Sequence, residues 1–420
     1  MDPLPEIALA RFLLQLVVIL AVARGLGEWL RRLGQPPVVG ELAAGILLGP
    51  TVLGRLAPDV QAWLFPAGLQ QNLLDTVAFL GLIFLLLLSG IEMDTRVLRA
   101  LGRSAALIAV AAFVVPFAFG GLAGWSAPDS FIGPRSNRWL LLLFLGTALG
   151  ITALPVIAKI LLDLNAIKRN VGVTILGAAM AQDLVGWTLL FVIVKLAQLG
   201  GIHLLPLFQV GATVGLFLWA AYRLGRPVLR FLLGLVDERM KLEYANLTTI
   251  ALFTFFYAAV TQTIGIHAVF GAFLAGVTVA RSPGLRPQTR ETVREFSLAI
   301  FTPIFFCSVG LQVDLFAVTH WGFFAWLLLL AVTGKILGAL MGGMLGRMPW
   351  FEALTIGVGM NARGAMELVL GVVGYTQGLI SSELFSIIVL IAVTTSIMTP
   401  PLMRLCLARL PATPEELARG

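Results

Sequence analysis

The feature that most constrains this chain is a recurrence. From near its first residue to near its last, it repeats apolar stretches about as long as a bilayer is thick. A helix needs roughly 20 apolar residues to cross ~30 Å of hydrocarbon. Thirteen stretches meet or approach that length: 7–30, 36–55, 72–92, 104–126, 139–164, 170–197, 205–232, 242–264, 266–281, 288–312, 320–346, 350–376 and 382–408. The ninth is short and the tenth opens with charged residues. Residues are 59% hydrophobic and 12% charged, against roughly 45–50% and about 25% in soluble domains. The 44 glycines suit helices packed closely in lipid. The expected fold class is an all-α polytopic membrane protein with about 13 transmembrane helices, without a separate soluble domain.

The net charge of +7 on a soluble chain would raise nucleic acid as a partner. Here the basic residues sit in short loops, so the expected partner is the lipid bilayer. The loop charge alternates. Arg31 and Arg32 follow span one; Arg96, Arg99 and Arg103 follow span three; Lys168 and Arg169 follow span five. Arg239 and Lys241 follow span seven, and Arg281, Arg286, Arg290 and Arg294 follow span nine. Arg347 follows span eleven, and the tail carries Arg404, Arg409 and Arg419. The other loops are nearly free of Lys and Arg, with Arg135 and Arg138 as exceptions. The positive-inside rule then puts the N-terminus outside and the C-terminus in the cytoplasm of a cell (inner) membrane. The acidic start, Met1 to Glu6, lacks the basic n-region of a secretory signal, so span one is expected to be retained. Cys307 and Cys406 do not suggest a disulfide.

An odd number of spans predicts two six-helix halves of opposite topology joined by span seven, the inverted-repeat plan of many secondary transporters. Spans five and twelve are then partners, and both are poor helices. Span five holds Gly146-Thr147-Ala148-Leu149-Gly150-Ile151-Thr152-Ala153-Leu154-Pro155. Pro155 lacks a backbone donor and clashes with the preceding turn. Span twelve holds Gly357-Val358-Gly359-Met360-Asn361-Ala362-Arg363-Gly364. Its glycines weaken a helix, and Asn and Arg are costly in lipid. A kink and close packing would explain either span alone. Interruptions at both partner positions point to a midplane ion site built from freed carbonyls and half-helix ends.

Asp183 lies in span six, about 13 residues or ~20 Å from the cytoplasmic end at 1.5 Å per residue. An intramembrane carboxylate is a functional candidate by default. It can hold a monovalent cation or a proton but not both, which is sufficient for exchange; the bland alternative is a carboxylate that only holds helices together. Lys335 lies in span eleven, ~22 Å from the outer end. A buried ammonium needs a partner, and Asp183 is the expected counter-charge; the alternative is a snorkelling lysine. Thr152 and Asn361 can offer neutral oxygens to a dehydrating cation. Arg363 and Glu367 are four apart and can pair on one helix face, more as a holder of the helix break than as ion ligands. Glu41, in span two, either lines an access funnel or hydrogen-bonds between helices. Glu92 and Asp94 read as a solvated cap beside Arg96 and Arg99. Lys159, Asp163 and Lys195 read as interfacial. His203, His267 and His320 fall near the outer surface, too far apart to suggest a metal site, although His267 or His320 can sense external pH.

These motifs resemble the monovalent cation:proton antiporter-2 family, which includes Kef- and Nap-type bacterial antiporters and plant cation/proton exchangers. The resemblance rests on Ala181-Gln182-Asp183, on Thr152 through Leu161, and on Met360-Asn361-Ala362-Arg363-Gly364-Ala365-Met366-Glu367-Leu368. Val38 through Pro50, Gly90-Ile91-Glu92-Met93-Asp94, and Pro303 through Leu311 extend it, in order, over nearly the whole chain. The resemblance implies a sodium/proton antiporter-like fold of 13 helices with crossed discontinuous helices and elevator-like alternating access. It also implies scaffold helices that form a homodimer (1–103 and 239–315), core helices (104–197 and 316–408), a linker helix (198–238) and a short cytoplasmic tail (409–420). It makes Asp183 the ion-binding aspartate, Lys335 the lysine facing it, and Thr152 part of the first helix break. Gln182 stands where many sodium-selective relatives carry Asn or Asp, which resembles the potassium-type members, and one carboxylate in place of two argues for one-for-one exchange, with a second proton carried by Lys335 as the alternative. Kef-type members carry a soluble nucleotide-binding regulatory domain after the last span. Its absence from this sequence means that regulation is lacking, lies on a separate regulatory subunit, or was removed.

The expected function is secondary antiport of K⁺ or Na⁺ against protons, with roles in pH homeostasis, no covalent chemistry, no cofactor and no resident metal. A primary pump would need a Walker-type Gly-rich loop. A gated potassium channel would show a repeated filter sequence and single-channel currents. A non-transporting receptor or scaffold would tolerate replacement of Asp183. A carrier of organic solutes would need a wider, more aromatic cavity.

Overall fold

The structure is a computed structural model that describes residues 6–92, 102–199, 204–235, 245–264, 267–280, 282 and 287–410. The loop charges Asp94, Arg96, Arg99, Arg239, Lys241, Arg281 and Arg286, the outer-surface His203, and the tail with Arg419 lie outside the described residues. All thirteen apolar stretches carry helix among the described residues. They comprise α1 (Glu6–Arg32), α2 (Pro37–Leu48), the short α3 (Leu53–Leu56) and α4 (Pro58–Leu64), α5 (Leu69–Glu92), α6 (Arg103–Ser126), α7 (Arg138–Gly150), α8 (Leu154–Asp163) and α9 (Asn170–Leu199). Then follow α10 (Leu204–Leu235), α11 (Ala245–Thr263), α12 (Ala268–Ala280), α13 (Pro287–Phe296), α14 (Thr302–Leu311), α15 (Trp321–Leu345), α16 (Trp350–Gly359), α17 (Ala365–Thr376) and α18 (Ser382–Arg409). Among the described residues there are no strands beyond one isolated bridge, Ile132 to Ile380. Among the described residues, nine segments are long and apolar enough to cross a membrane, and two shorter apolar helices accompany them.

Local chemistry explains the boundaries. Asn137 caps α7 by accepting from the Leu140 N–H at 2.9 Å, and Ser381 caps α18 by accepting from that of Leu384 at 3.3 Å, each satisfying an orphan donor of a first turn. Span two is not one helix over 36–55. Its helix α2 ends at Leu48, because Pro50 cannot donate to the turn before it, and α3 restarts beyond the turn. Spans five, ten and twelve are likewise interrupted: five between α7 and α8, twelve between α16 and α17, and ten by a π-helical turn, Ser297–Phe301, between α13 and α14.

The chain divides into two compact units. The first draws on Met1–Leu20, Leu64–Asp94 and Gly201–Ser308; the second draws on Ala21–Trp63, Thr95–Gly200 and Val309–Gly420. In the first, α5 and α12 cross at Gly90 and Gly276. A side chain on either glycine would strike the other helix's backbone, Phe273 O or Leu87 O, so only glycine permits that approach. In the second, α15 lies on α6 through Gly334, Gly338 and Gly342. A Cβ added at Gly338 would sit 2.6 Å from Ala111 O, and one at Gly342 would sit 2.5 Å from Ile108 Cα. The division differs from the expected scaffold block 1–103, because residues 21–63 fall in the second unit. The second unit has its own ties to that segment: Thr51 Oγ1 donates to Val313 O at 2.8 Å, and Gly310 packs against Leu42 O.

Candidate functional site

The second unit contains both helix breaks, and the breaks meet. After Gly150 the chain runs extended through Ile151 and Ala153 before α8 begins. Pro155 sits in the first turn of α8, where its missing N–H costs little and where it prevents α8 from continuing backwards. The other break runs from Met360 to Gly364. The Ala153 N–H donates to Ala362 O at 3.0 Å, and Thr152 Oγ1 lies 3.0 Å from Met360 O. Asn361 Nδ2 turns back to Gly357 O at 3.0 Å, closing the end of α16.

Unwinding two helices in an apolar interior frees carbonyls that must find donors. Two fully buried cations supply them. Arg363 reaches across the crossing to the last turn of α7, donating to Ala148 O at 2.8 Å and to Leu149 O at 3.0 Å. Lys335 Nζ lies 2.6 Å from Gly150 O, the last carbonyl of α7, and 3.2 Å from Ala112 O in α6. That second carbonyl is also an orphan. Its helical donor would be residue 116, which is proline and has no N–H. Two cations thus stand where the macrodipole of α7 is negative. The close glycine seam between α15 and α6 is what brings Lys335 within reach of Ala112.

The remaining polar contacts are with side chains. Lys335 Nζ is 2.8 Å from Thr152 Oγ1 and 3.0 Å from Gln182 Oε1, and those two oxygens are 2.9 Å apart. Gln182 Nε2 donates to Ala109 O at 3.1 Å. Arg363 Nη1 pairs with Glu367 Oε1 at 3.2 Å, with both side chains buried. Glu367 lies in the first turn of α17, where a carboxylate suits the helix dipole. Ser396 Oγ, from α18, donates to Arg363 O.

Asp183 stands apart from this network. It is 1% exposed, and neither carboxylate oxygen has a hydrogen-bond partner. The direct ion pair with Lys335 expected from the sequence is not formed. Residues 182 and 183 are neighbours about 100° apart on α9, so the face that meets Lys335 carries the Gln182 amide and not the Asp183 carboxylate. Orphaned carbonyls of α6 and α7 take the rest of the ammonium's capacity. The structure therefore brings Lys335, Thr152 and Gln182 together and leaves Asp183 with open lone pairs. Asn361 Oδ1 and Glu367 Oε2 are also buried acceptors without a donor.

Over residues 17–405 the chain matches the family described as "Sodium/hydrogen exchanger, transmembrane". The chain belongs to that sodium/hydrogen exchanger family. It is 31% identical over 401 residues to "Cation/H(+) antiporter 18" of Arabidopsis thaliana, covering 95% of this chain and 49% of that protein. It is 31% identical over 398 residues to "Na(+)/H(+) antiporter NhaS4" of Synechocystis, covering 93% and 96%. It is 30% identical over 407 residues to "K(+)/H(+) antiporter 1" of Saccharomyces cerevisiae, covering 94% and 46%. The chain spans about half the length of the plant and yeast relatives. Among solved structures, the sodium proton antiporter MjNhaP1 from Methanocaldococcus jannaschii superposes with a TM-score of 0.66 at 15% identity, over 96% of this chain and 98% of that one. It shares the fold of this multi-pass membrane protein.

In this family member the other sequence candidates fall outside the crossing. Glu41 is buried and lies 4.0 Å from Arg24 of α1. Lys159 pairs with Asp163 at 2.5 Å, both about half exposed, and Lys195 lies 3.1 Å from Gln198. Glu92 is exposed. His320 Nδ1 lies 3.0 Å from Glu383 Oε1, and His267 sits edge-on to Phe79 at 6.1 Å. Sequence reasoning missed Pro116 and Ser396. A proline in the middle of span four, and the polar run Thr394-Thr395-Ser396 in span thirteen, were the available signals.

Proposed function

We propose that this chain is a secondary antiporter that exchanges K⁺ or Na⁺ for protons by alternating access, with the two ions competing for Asp183. The observation that carries this reading is the buried carboxylate with both oxygens unpartnered. A charge left bare in such surroundings is very costly, so the carboxylate needs either a proton or a cation at all times. Each excludes the other from the same lone pairs, and that exclusion is the condition for exchange. Lys335 acts on Asp183 through space and is held in place by its four oxygen neighbours. Thr152 and Gln182 position that ammonium, and Arg363 with Glu367 holds the crossed breaks. Asn361 Oδ1, at the second break, is a buried neutral oxygen without a donor and a candidate to join Asp183 on a cation. The names of the relatives, antiporters of cations, Na⁺ or K⁺ against H⁺, support the same substrates. The reading includes thirteen crossings of a cell (inner) membrane with the N-terminus outside, a homodimer and one-for-one stoichiometry.

The test is a pH-dye assay in proteoliposomes with K⁺, Na⁺, Li⁺ and Rb⁺ added in turn, and valinomycin as a control for charge movement. Asp183→Asn should abolish cation-driven proton flux while the protein elutes as a folded species. Retained flux in that variant would remove Asp183 from the mechanism.

A further inference from the structure

A cavity of about 440 Å³ opens in the second unit, away from the helix crossing. Its walls come from three separate pieces of chain: the end of α1 and the following turn with Arg31, Arg32 and Gly34, α8 with Lys159 and Asp163, and α18 with Arg404. Four cationic side chains thus line one concavity. The acids within ion-pair range are too few to balance them. Glu28 is shared, 2.7 Å from Arg31 and 3.5 Å from Arg32, and Asp163 serves Lys159 at 2.5 Å. Gly34 has φ of +74°, and its bare Cα lets the Arg404 guanidinium lie against the turn, 3.4 Å from where a Cβ would stand. These four cations line one concavity, and its volume falls in the range of small-ligand sites. A cluster of this sign repels cations and attracts anions.

We infer that this cavity binds a phosphate-bearing anion, held by the forks of Arg32 and Arg404, with Lys159 and the Glu28-paired Arg31 as further charges. Planar guanidinium groups suit phosphate oxygens bidentately. The charge pattern assigns this face to the cytoplasm, where both anionic lipid headgroups and soluble phosphates are found. A bound phosphate would tie the α1–α2 turn to α8 and α18. It thereby restrains α8, the half-helix whose other end is the Thr152 break. The inference does not depend on the antiport reading.

Thermal unfolding of the purified full chain tests it, with two arms read at matched ionic strength. In detergent, choline pyrophosphate is compared with choline chloride, so that no transported cation is added. In nanodiscs, phosphatidylcholine with cardiolipin is compared with phosphatidylcholine alone. At least one arm should raise the unfolding temperature of the unmodified protein, and the arm that does so identifies the source of the phosphate. Arg32→Gln/Arg404→Gln should raise the half-saturating concentration by about five-fold per arginine, roughly 25-fold for the pair. Arg223→Gln/Arg230→Gln, which removes two exposed arginines of α10 far along the chain, should respond like the unmodified protein. Should the first double variant fold poorly, Arg404→Lys, which keeps the charge and loses the fork, should give a reduced shift. No shift of the unmodified protein in either arm, or equal shifts in the cavity variants and the α10 control, overturns the inference.

Discussion

Replacing Lys335 by methionine tests whether its ammonium stands in for absent backbone donors. Methionine keeps much of the volume and removes the charge with its N–H groups. Thr152 and Gln182 still have each other, because their oxygens are 2.9 Å apart and the threonine hydroxyl can donate. Ala112 O and Gly150 O have no such fallback. A buried acceptor left without a donor costs about 1–3 kcal/mol, so the two carbonyls together lose about 2–6 kcal/mol. Relief from burying an ammonium offsets this by several kcal/mol, so the single variant alone decides little. The decisive quantity is its coupling to Pro116→Ala. Alanine at 116 supplies the N–H that α6 lacks, and this donor matters to Ala112 O only when Lys335 is gone. The double variant should therefore be more stable than the sum of the singles by about 1–3 kcal/mol. The assay is unfolding in mixed micelles of a mild detergent and dodecyl sulfate, followed by tryptophan fluorescence, for all four corners of the cycle. Effects that add to within about 0.5 kcal/mol would refute the argument that Pro116 creates the vacancy Lys335 fills.

Three further outcomes follow from the same geometry. Arg363→Met leaves Glu367 buried without its cation and Ala148 and Leu149 without donors, and it should cost about 3–5 kcal/mol in the same unfolding assay; Arg363→Met/Glu367→Met should lose less than Arg363→Met alone. Gly338→Leu forces atoms into the backbone of α6, where even a Cβ would stand 2.6 Å from Ala111 O; it should cost about 1–3 kcal/mol and lower transport, whereas Gly322→Ala, whose Cβ meets open space, should change neither. If proton and cation share Asp183, the cation concentration that gives half-maximal flux should rise as pH falls while the maximal rate holds, and a maximal rate that falls at constant half-saturation would argue for separate sites.

Most of the helices were legible in the sequence because they carry their own signal, a run of apolar residues about as long as a bilayer is thick. The breaks were legible for a local reason as well: Pro155 and the Gly357–Gly364 run cannot hold an uninterrupted helix, and their partnership follows from counting spans in two inverted halves. The expected contact between Asp183 and Lys335 failed because it was drawn between side chains alone. Backbone carbonyls compete for an ammonium, and the sequence marks an unsatisfied carbonyl only indirectly, through a proline four residues later. Pro116 gave that mark for Ala112, and the end of α7 at Gly150 gave it for the other acceptor. The adjacency of Gln182 and Asp183 also hid which of the two faces α15, since about 100° of helix rotation separates them. The cavity beside Arg404 was illegible for a different reason, because its residues lie in three pieces of chain that only the fold brings together.

If Asp183 exchanges ions as proposed, the same arrangement links stability to exchange. A helix broken in an apolar interior survives only if something supplies its missing donors, and here Arg363 and Lys335 do so from other helices. Once committed to carbonyls and to the Thr152 and Gln182 oxygens, Lys335 has no N–H left to neutralise Asp183 by contact. On the proposed reading, the neutralisation comes from an ion that can leave. Had Asp183 met Lys335 directly, each arriving cation would first have to break a buried ion pair, whose loss is among the costliest single events in a protein interior. On that reading, satisfying the ammonium with backbone leaves the buried acid free to take a proton or a cation. The orphaned carbonyls of α6 and α7 are on this account part of the transport machinery, although no ion touches them.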